Sequence, residues 1–177
     1  TIGVTASQAR TTGEAFADAT VSNEVKARLL GAQQGFGEVD VEVAAGLVLL
    51  SGRVMTPEQK VEAESIAWQS PRVREVANEI RIEPPGGFIA NASDELISYR
   101  VRARLLGSSS VMARNFNVET YGGIVYLMGV ASSPEELQAA AREASLAGGV
   151  RQVVSYVRLR DGRGQIVPYR PDTSTAG

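Results

Sequence analysis

Apolar residues recur along the chain first at helical and then at strand spacing. Val21, Val25 and Leu29 recur every four residues and predict the buried face of a helix. Valines then alternate with polar residues from Val39 to Val43, and a second apolar run extends from Leu47 to Val54. Small residues separate these two runs, which predicts a hairpin of two strands after the first helix.

The same order of elements returns about 77 residues later. The segment VKARLLG at Val25–Gly31 recurs as VRARLLG at Val101–Gly107, and from Val41 onward the match holds at an offset of 77 without a gap. Each repeat then contains a capping hydroxyl, a proline directly after it, and a Glu or Gln two residues after the proline. These segments are Thr56–Gln59 and Ser133–Glu136, and they predict the start of a second helix. A final strand follows in both copies, so each repeat is predicted to be αββαβ.

The repeat predicts the organisation of the whole chain. The expected parts are an N-terminal tail at 1–17, a first domain at 18–83, a linker at 84–92, a second domain at 93–160 and a C-terminal tail at 161–177. Both tails lack strong periodicity and are interpreted as tails or docking segments. Prolines and glycines mark the linker.

Composition excludes several classes of function. The 177 residues include no histidine and no cysteine, which excludes disulfides, thiol nucleophiles, Cys/His zinc sites and Ser-His charge systems. The formal charge of −2 gives no indication of nucleic-acid binding. No apolar run reaches the roughly 20 residues of a transmembrane helix. We therefore expect no catalytic residues, no metal site and no cofactor, and a protein that is not an enzyme.

The repeated pattern resembles the BON domain. The resemblance lies in the hairpin glycines, the small residues of the second helix and the pattern of the last strand. In the first repeat these are Gly46, Gly52, Ala63, Ala67, Val73, Arg74, Val76, Asn78 and Ile80; in the second they are Gly123, Gly129, Gly149, Val150, Arg151 and Val153.

The tandem arrangement is similar to the dual-BON lipoproteins of the Gram-negative outer membrane. This resemblance implies an α+β fold of two αββαβ domains, each a three-stranded mixed sheet packed on two helices. It also implies a periplasmic, outer-membrane-associated protein that binds phospholipid and supports envelope integrity. The cysteine that carries the lipid anchor in those lipoproteins is not present in this sequence.

The first helix of the second repeat is the candidate binding surface. At about 100° per residue, one face of this helix turns to the sheet and the opposite face is also apolar, with arginines along it. The candidate lipid-binding or partner-binding residues are Leu96, Tyr99, Arg100, Arg102, Ala103 and Leu106. Arg104 lies nearer the sheet-facing side, from which its stem can extend outwards.

The first repeat has no such face, and its charge is opposite. The matching outer positions of its first helix are Thr20, Asn23, Ala27 and Leu30. Residues 18–83 carry 7 basic and 11 acidic side chains, whereas residues 94–160 carry 8 basic and 6 acidic ones, so the net charges are −4 and +2. An apolar helix face with arginines at its rim is typical of interfacial membrane helices. The predicted partner is an anionic phospholipid surface.

Other interpretations of the same face remain open. It could instead be the seam between the two domains, a homo-oligomer contact, or the binding face of a periplasmic protein-interaction module such as an adaptor or chaperone-like factor. The tails would then also bind an envelope protein partner. Leu106 matches Leu30, and a core position in both repeats is a further alternative for it. Trp68 is interpreted as a core residue or as part of the contact between domains.

Overall fold

The computed structural model describes residues 12–32, 35–84 and 88–168 and shows the predicted unit twice. The first repeat contains α1 (Thr12–Gly31), β1 (Val39–Ala44), β2 (Leu47–Val54), α2 (Pro57–Trp68), β3 (Glu75–Asn78) and β4 (Arg81–Ile82). The second contains α3 (Phe88–Gly107), a short 3-10 helix (Ala113–Asn115), β5 (Phe116–Tyr121), β6 (Ile124–Ala131), α4 (Pro134–Ser145), β7 (Gln152–Ser155), β8 (Arg158–Arg160) and β9 (Ile166–Pro168). The predicted α+β fold is confirmed.

Each repeat forms a mixed sheet around its second strand. β1 and β2 form an antiparallel hairpin, and β3 and β4 both pair with β2 in parallel. The second sheet repeats this arrangement with β5, β6, β7 and β8. The predicted final strand is thus split in two. In the first repeat the Asn78 side chain accepts a hydrogen bond from the amide of Ile80 at 3.3 Å, and Ser155 does the same for Val157 at 3.3 Å, so a local turn interrupts both strands.

The ordered elements extend into the segments that were predicted to be tails and linker. α1 starts at Thr12 and α3 starts at Phe88. Neither helix contains a proline, so each continues without a break to its C-terminal glycine. Beyond residue 160 the chain turns back and β9 pairs antiparallel with β8. The carboxylate of Asp161 stabilises that turn by accepting hydrogen bonds from the amides of Arg163 and Gln165, both at 2.8 Å. The remaining tail residues, 1–11 and 169–177, lie outside the described residues.

One aspartate in each repeat joins the first helix to the hairpin. Asp18 accepts hydrogen bonds from the amides of Ala45 and Gly46 at 2.9 and 3.1 Å. Asp94 accepts bonds of the same lengths from Gly122 and Gly123. These bonds satisfy the turn amides, which otherwise have no partner in the strand ladder. They fix the orientation of α1 and α3 on their sheets.

The second helices begin at the predicted caps. The side chains of Thr56 and Gln59 exchange bonds with each other's amides at 3.2 and 3.1 Å, which is the predicted capping box. Ser133 accepts from the Glu136 amide at 3.1 Å, but the Glu136 carboxylate turns to the amides of Ser132 and Met112 instead. The second capping box is therefore only half formed, because Glu136 also holds the loop that follows α3.

Each repeat has its own core between its helices and one face of its sheet. The opposite faces of the two sheets pack on each other through a third apolar cluster, which contains Ala44, Leu47, Leu49, Tyr121, Tyr126 and Met128. The order of layers is therefore helices, sheet, sheet, helices. This packing leaves the outer face of each first helix on the outside of the molecule.

Candidate functional site

The outer face of α3 is exposed to solvent. Leu96, Tyr99 and Leu106 are 48%, 68% and 79% exposed, and Ala103 lies between them on the same face. The opposite side of the helix is buried in the second core. The interpretation of this face as the seam between the domains is wrong, because the seam is formed by the two sheets. We call Leu96, Tyr99, Ala103 and Leu106 the outer row.

Leu106 is not a core residue, and neither is its counterpart in the first repeat. Leu30 is 83% exposed, which leaves its side chain almost entirely in water. Both residues follow a buried leucine, Leu29 or Leu105, and a step of about 100° takes the next side chain away from the sheet. The interpretation of this position as core in both repeats is wrong.

The arginines of α3 lie on two different borders of the outer row. Arg100 donates a hydrogen bond to the carbonyl of Gly148 at 3.1 Å, and Arg104 forms an ion pair with Glu143 at 3.1 Å, so both lie on the side of α4. Arg102 instead donates to the carbonyl of Val118 in β5 at 2.9 Å. Each guanidinium has five donors, and these contacts occupy only part of them. All three arginines are exposed and can still bind an anion.

A cluster of carboxylates lies beyond Arg102, where the two sheets meet. Asp40 and Glu42 of β1, Glu119 of β5 and Glu95 of α3 line one open cleft of about 660 Å³. The pKa of Glu119 is raised to about 8. Burial is the largest cause, the charges of neighbouring carboxylates act in the same direction, and Arg102 acts in the opposite direction. Burial likewise raises the pKa of Asp40. The raised pKa favours the neutral form of Glu119 near pH 7, which lowers the negative charge at this border of the outer row.

Sequence reasoning missed this carboxylate cluster. The available signal was the strand alternation, which places Asp40 and Glu42 opposite the buried Val41 and Val43. That pattern is normally a solvated sheet face, and only the packing of the second sheet makes it an interface. Within the described ranges, no group of three or more acidic side chains has the geometry to hold a metal ion.

Exposed apolar side chains also occur on the first repeat. Phe16 of α1 is 74% exposed, and it lies in the segment predicted to be the N-terminal tail, where no binding residue was expected. Trp68 of α2 is 48% exposed, so it belongs neither to the core nor to the contact between the sheets. Between Phe16 and Leu30 the outer side of α1 carries Thr20 and Asn23, which are polar.

Comparison with known families identifies the repeated unit. The model of the BON domain matches residues 17–84 and again residues 93–161, which covers more than half of the chain. The chain belongs to the BON domain family. The two matched segments begin within α1 and α3 and include the hairpin, the second helix and the split strand of each repeat.

Several proteins are similar to this tandem BON chain over most of its length. A protein encoded in the gshII 5′ region of Anaplasma centrale is 38% identical over 129 residues, which cover 72% of this chain and 85% of that protein. The outer membrane lipoprotein DolP of Haemophilus influenzae is 28% identical over 158 residues, covering 88% and 81%. The 21 kDa hemolysin of Actinobacillus pleuropneumoniae is 31% identical over 150 residues, covering 84% and 77%. The chain is thus related to BON-domain proteins of the bacterial envelope.

None of the helices in the described part of this BON-domain chain is long and apolar enough to cross a membrane. The outer row of α3 combines exposed apolar side chains with adjacent arginines, and it lies in the more basic of the two domains.

Proposed function

We propose that this protein is a non-enzymatic component of the bacterial envelope that binds anionic phospholipid through the outer row of α3. Its location would be the periplasm, in association with the outer membrane, and its role would be to support the integrity of that membrane. Support comes from the family and from the relative that is named an outer membrane lipoprotein.

The observation that carries the proposal is the difference between α3 and α1. The two helices occupy the same place in the two domains, yet α3 exposes Leu96 and Tyr99 where α1 has Thr20 and Asn23. An exposed apolar face between basic residues suits a helix that lies in the membrane interface, since apolar groups enter the acyl boundary while guanidinium groups pair with phosphate. The fold alone does not require Leu96 and Tyr99, because α1 packs on its own sheet with Thr20 and Asn23 at these positions.

The expected affinity is low. Each basic residue near an anionic surface contributes about 1 kcal/mol, and full burial of a leucine contributes about 1.5–3 kcal/mol. The side chains of the outer row lie on one helix and enter only the interfacial layer, and association itself costs several kcal/mol. Binding by this surface is therefore reversible, and a second attachment to the membrane would strengthen it strongly.

Co-sedimentation with vesicles that contain phosphatidylglycerol tests the proposal. We expect the wild-type chain to sediment with the vesicles at low salt, and Leu96→Glu and Tyr99→Glu to lose most of this binding. The matched controls are Thr20→Glu and Asn23→Glu, which place the same charge at the same positions of α1. Circular dichroism verifies that all four variants are folded. Equal loss in both helices, or no sedimentation of the wild type, contradicts the proposal.

The second candidate is a protein-interaction module that uses the same outer row. The observation that favours it is the presence of exposed apolar side chains on the other, more acidic domain as well, at Phe16 and Trp68. Such a surface would bind an envelope protein or a second copy of the chain through apolar burial. Its binding would persist in high salt, whereas lipid binding through arginines weakens as salt screens the charges. Sedimentation velocity of the wild type without vesicles identifies self-association.

A further inference from the structure

The turn between α4 and β7 lies next to the outer row and contains two exposed glycines, Gly148 and Gly149. Among the described residues, neither the Gly148 nor the Gly149 amide donates a backbone hydrogen bond, whereas the flanking amides of Ala147 and Val150 do. Gly149 has a φ of +91°, and a Cβ there would lie 3.0 Å from Cγ1 of Ile97. The turn therefore requires glycine at this position, and both Gly148 and Gly149 are exposed.

Two arginine side chains lie near this turn. The Nη1 atom of Arg100 is 3.1 Å from the Gly148 carbonyl and 4.0 Å from the position that a Cβ of Gly149 would occupy. The stem of Arg151 packs against Gly123, which also lies next to Gly149. A Cβ at Gly123 would lie 2.8 Å from Cδ of Arg151 and 3.5 Å from the carbonyl oxygen of Gly149. Arg100 and the stem of Arg151 are thus both close to the turn.

The positive charge at this turn is not neutralised by the surrounding carboxylates. Asp94 is directed to the amides of Gly122 and Gly123, and Glu143 pairs with Arg104. Within the described part of the chain, Arg100 and Arg151 form no ion pair with a carboxylate. Exposed guanidinium groups beside unpaired backbone amides are a combination that binds phosphate in many proteins.

The first repeat provides an internal comparison at the same place. Glu24 occupies the position of Arg100 and accepts a hydrogen bond from Ser70 at 2.5 Å. Pro71 occupies the position of Gly148, and proline has no amide hydrogen to donate. Arg74 is the counterpart of Arg151, and Arg72 occupies the position of Gly149. The turn of the first repeat is therefore also basic, but it has neither the glycine pair nor an arginine at the position of Arg100.

We infer that Arg100, Arg151 and the amides of Gly148 and Gly149 form a subsite for a phosphate group, which at a membrane is the phosphodiester of an anionic lipid headgroup. The inference rests on the proposed function, because it places the headgroup beside Leu96, one helical turn before Arg100 on the same border of α3. In this arrangement the outer row provides the apolar contact and the turn selects the phosphate.

Nuclear magnetic resonance of the full chain labelled with ¹⁵N tests the subsite directly. Glycerol 3-phosphate is titrated in one arm and phosphatidylglycerol bicelles in the other. In both arms we expect the amide signals of Gly148 and Gly149 to shift and saturate, and the equivalent turn at Arg72 to remain unchanged. Arg100→Glu, which introduces the residue type of the first repeat, should weaken both interactions at least tenfold.

Arg151→Gln should weaken both interactions several-fold, and its matched control in the first repeat, Arg74→Gln, should have no effect. Circular dichroism verifies the fold of each variant. If the bicelles bind and Leu96→Glu abolishes that binding, but the amides of Gly148 and Gly149 do not shift, the subsite is disproved while the proposed function stands.

A shift with glycerol 3-phosphate that is absent with bicelles contradicts the assignment to a lipid headgroup and indicates a soluble phosphate ligand. Failure of the wild-type chain to bind bicelles at all contradicts the proposed function, whatever glycerol 3-phosphate does. These outcomes separate the failure of the subsite from the failure of the membrane surface.

Discussion

The hydroxyl of Tyr156 donates a hydrogen bond to the carboxylate of Glu79. The two residues are 77 positions apart, so they occupy equivalent positions in the two repeats. Glu42 and Glu119 are also 77 residues apart, and their charges interact across the contact between the sheets. Equivalent positions meet in this way when two similar units face each other around a twofold axis. The two domains therefore pack with pseudo-twofold symmetry, as the subunits of a homodimer do.

Replacing Tyr156 with phenylalanine tests the importance of this contact. The substitution leaves the partly buried Glu79 carboxylate without its donor, and we expect the free energy of unfolding to fall by about 1–3 kcal/mol. Urea denaturation followed by circular dichroism measures the change. Tyr99→Phe removes the same hydroxyl from an exposed ring and should change stability by less than about 0.5 kcal/mol. Equal effects of the two substitutions would show that the contact does not stabilise the domain packing.

The carboxylate cluster at the interface predicts an unusual dependence of stability on pH. Since burial and neighbouring carboxylates raise the pKa of Glu119 from 4.5 to about 8, the folded protein binds this proton more tightly than the unfolded chain does. Stability from this group is complete below pH 4.5 and decreases as the pH rises towards 8. The sequence contains no histidine, whose titration would otherwise dominate the same range.

Urea midpoints measured between pH 5 and pH 9 test this prediction. We expect the wild-type midpoint to fall across this range and the midpoint of Glu119→Gln to fall less, so that the variant is the more stable protein at pH 9. Glu62→Gln, at an exposed position on α2, is the matched control and should follow the wild type. Parallel curves for wild type and Glu119→Gln would show that Glu119 titrates normally.

Repetition made the fold predictable from the sequence. The apolar spacing and the caps at Thr56 and Ser133 occur twice, so each repeat supported the interpretation of the other, and all the predicted helices and hairpins are present. The split of the final strand was not predictable from periodicity, because it depends on side-chain bonds of Asn78 and Ser155 to the local backbone. Hydrophobic patterns carry no information on such bonds.

The candidate site was predictable only in part. Helical geometry was sufficient to predict that Leu96 and Tyr99 lie away from the sheet. It was not sufficient to place Arg102, which donates to the Val118 carbonyl in β5 and lies close enough to Glu119 to lower the pKa of that carboxyl. The role of Asp94 in holding the hairpin turn was also missed. Contacts of that kind join residues 28 or more positions apart, and spacing rules do not reach so far.

Gly129 is a position where only glycine fits the hairpin. Its φ is +127°, and a Cβ would lie 2.0 Å from the backbone carbonyl oxygen of Asn115, which cannot move without disturbing the start of β5. We expect Gly129→Ala to lower the free energy of unfolding by about 2–4 kcal/mol. Gly107→Ala, which meets nothing within 4 Å, should be nearly neutral. Thermal denaturation of both variants measures the difference, and equal melting temperatures would disprove the constraint.

Leu106 and Leu30 separate membrane binding from folding, because they occupy equivalent positions and both are mostly exposed. Leu106→Ser and Leu30→Ser should each change stability by no more than about 0.5 kcal/mol. Loss of a leucine side chain from an interfacial contact costs about 1.5–3 kcal/mol when the burial is complete. We therefore expect Leu106→Ser to reduce vesicle binding up to tenfold and Leu30→Ser to leave it unchanged. Equal reductions would mean that α1 also contacts the membrane. The exposed Phe16 would then be the next residue of α1 to replace, because it lies on the same helix as Leu30.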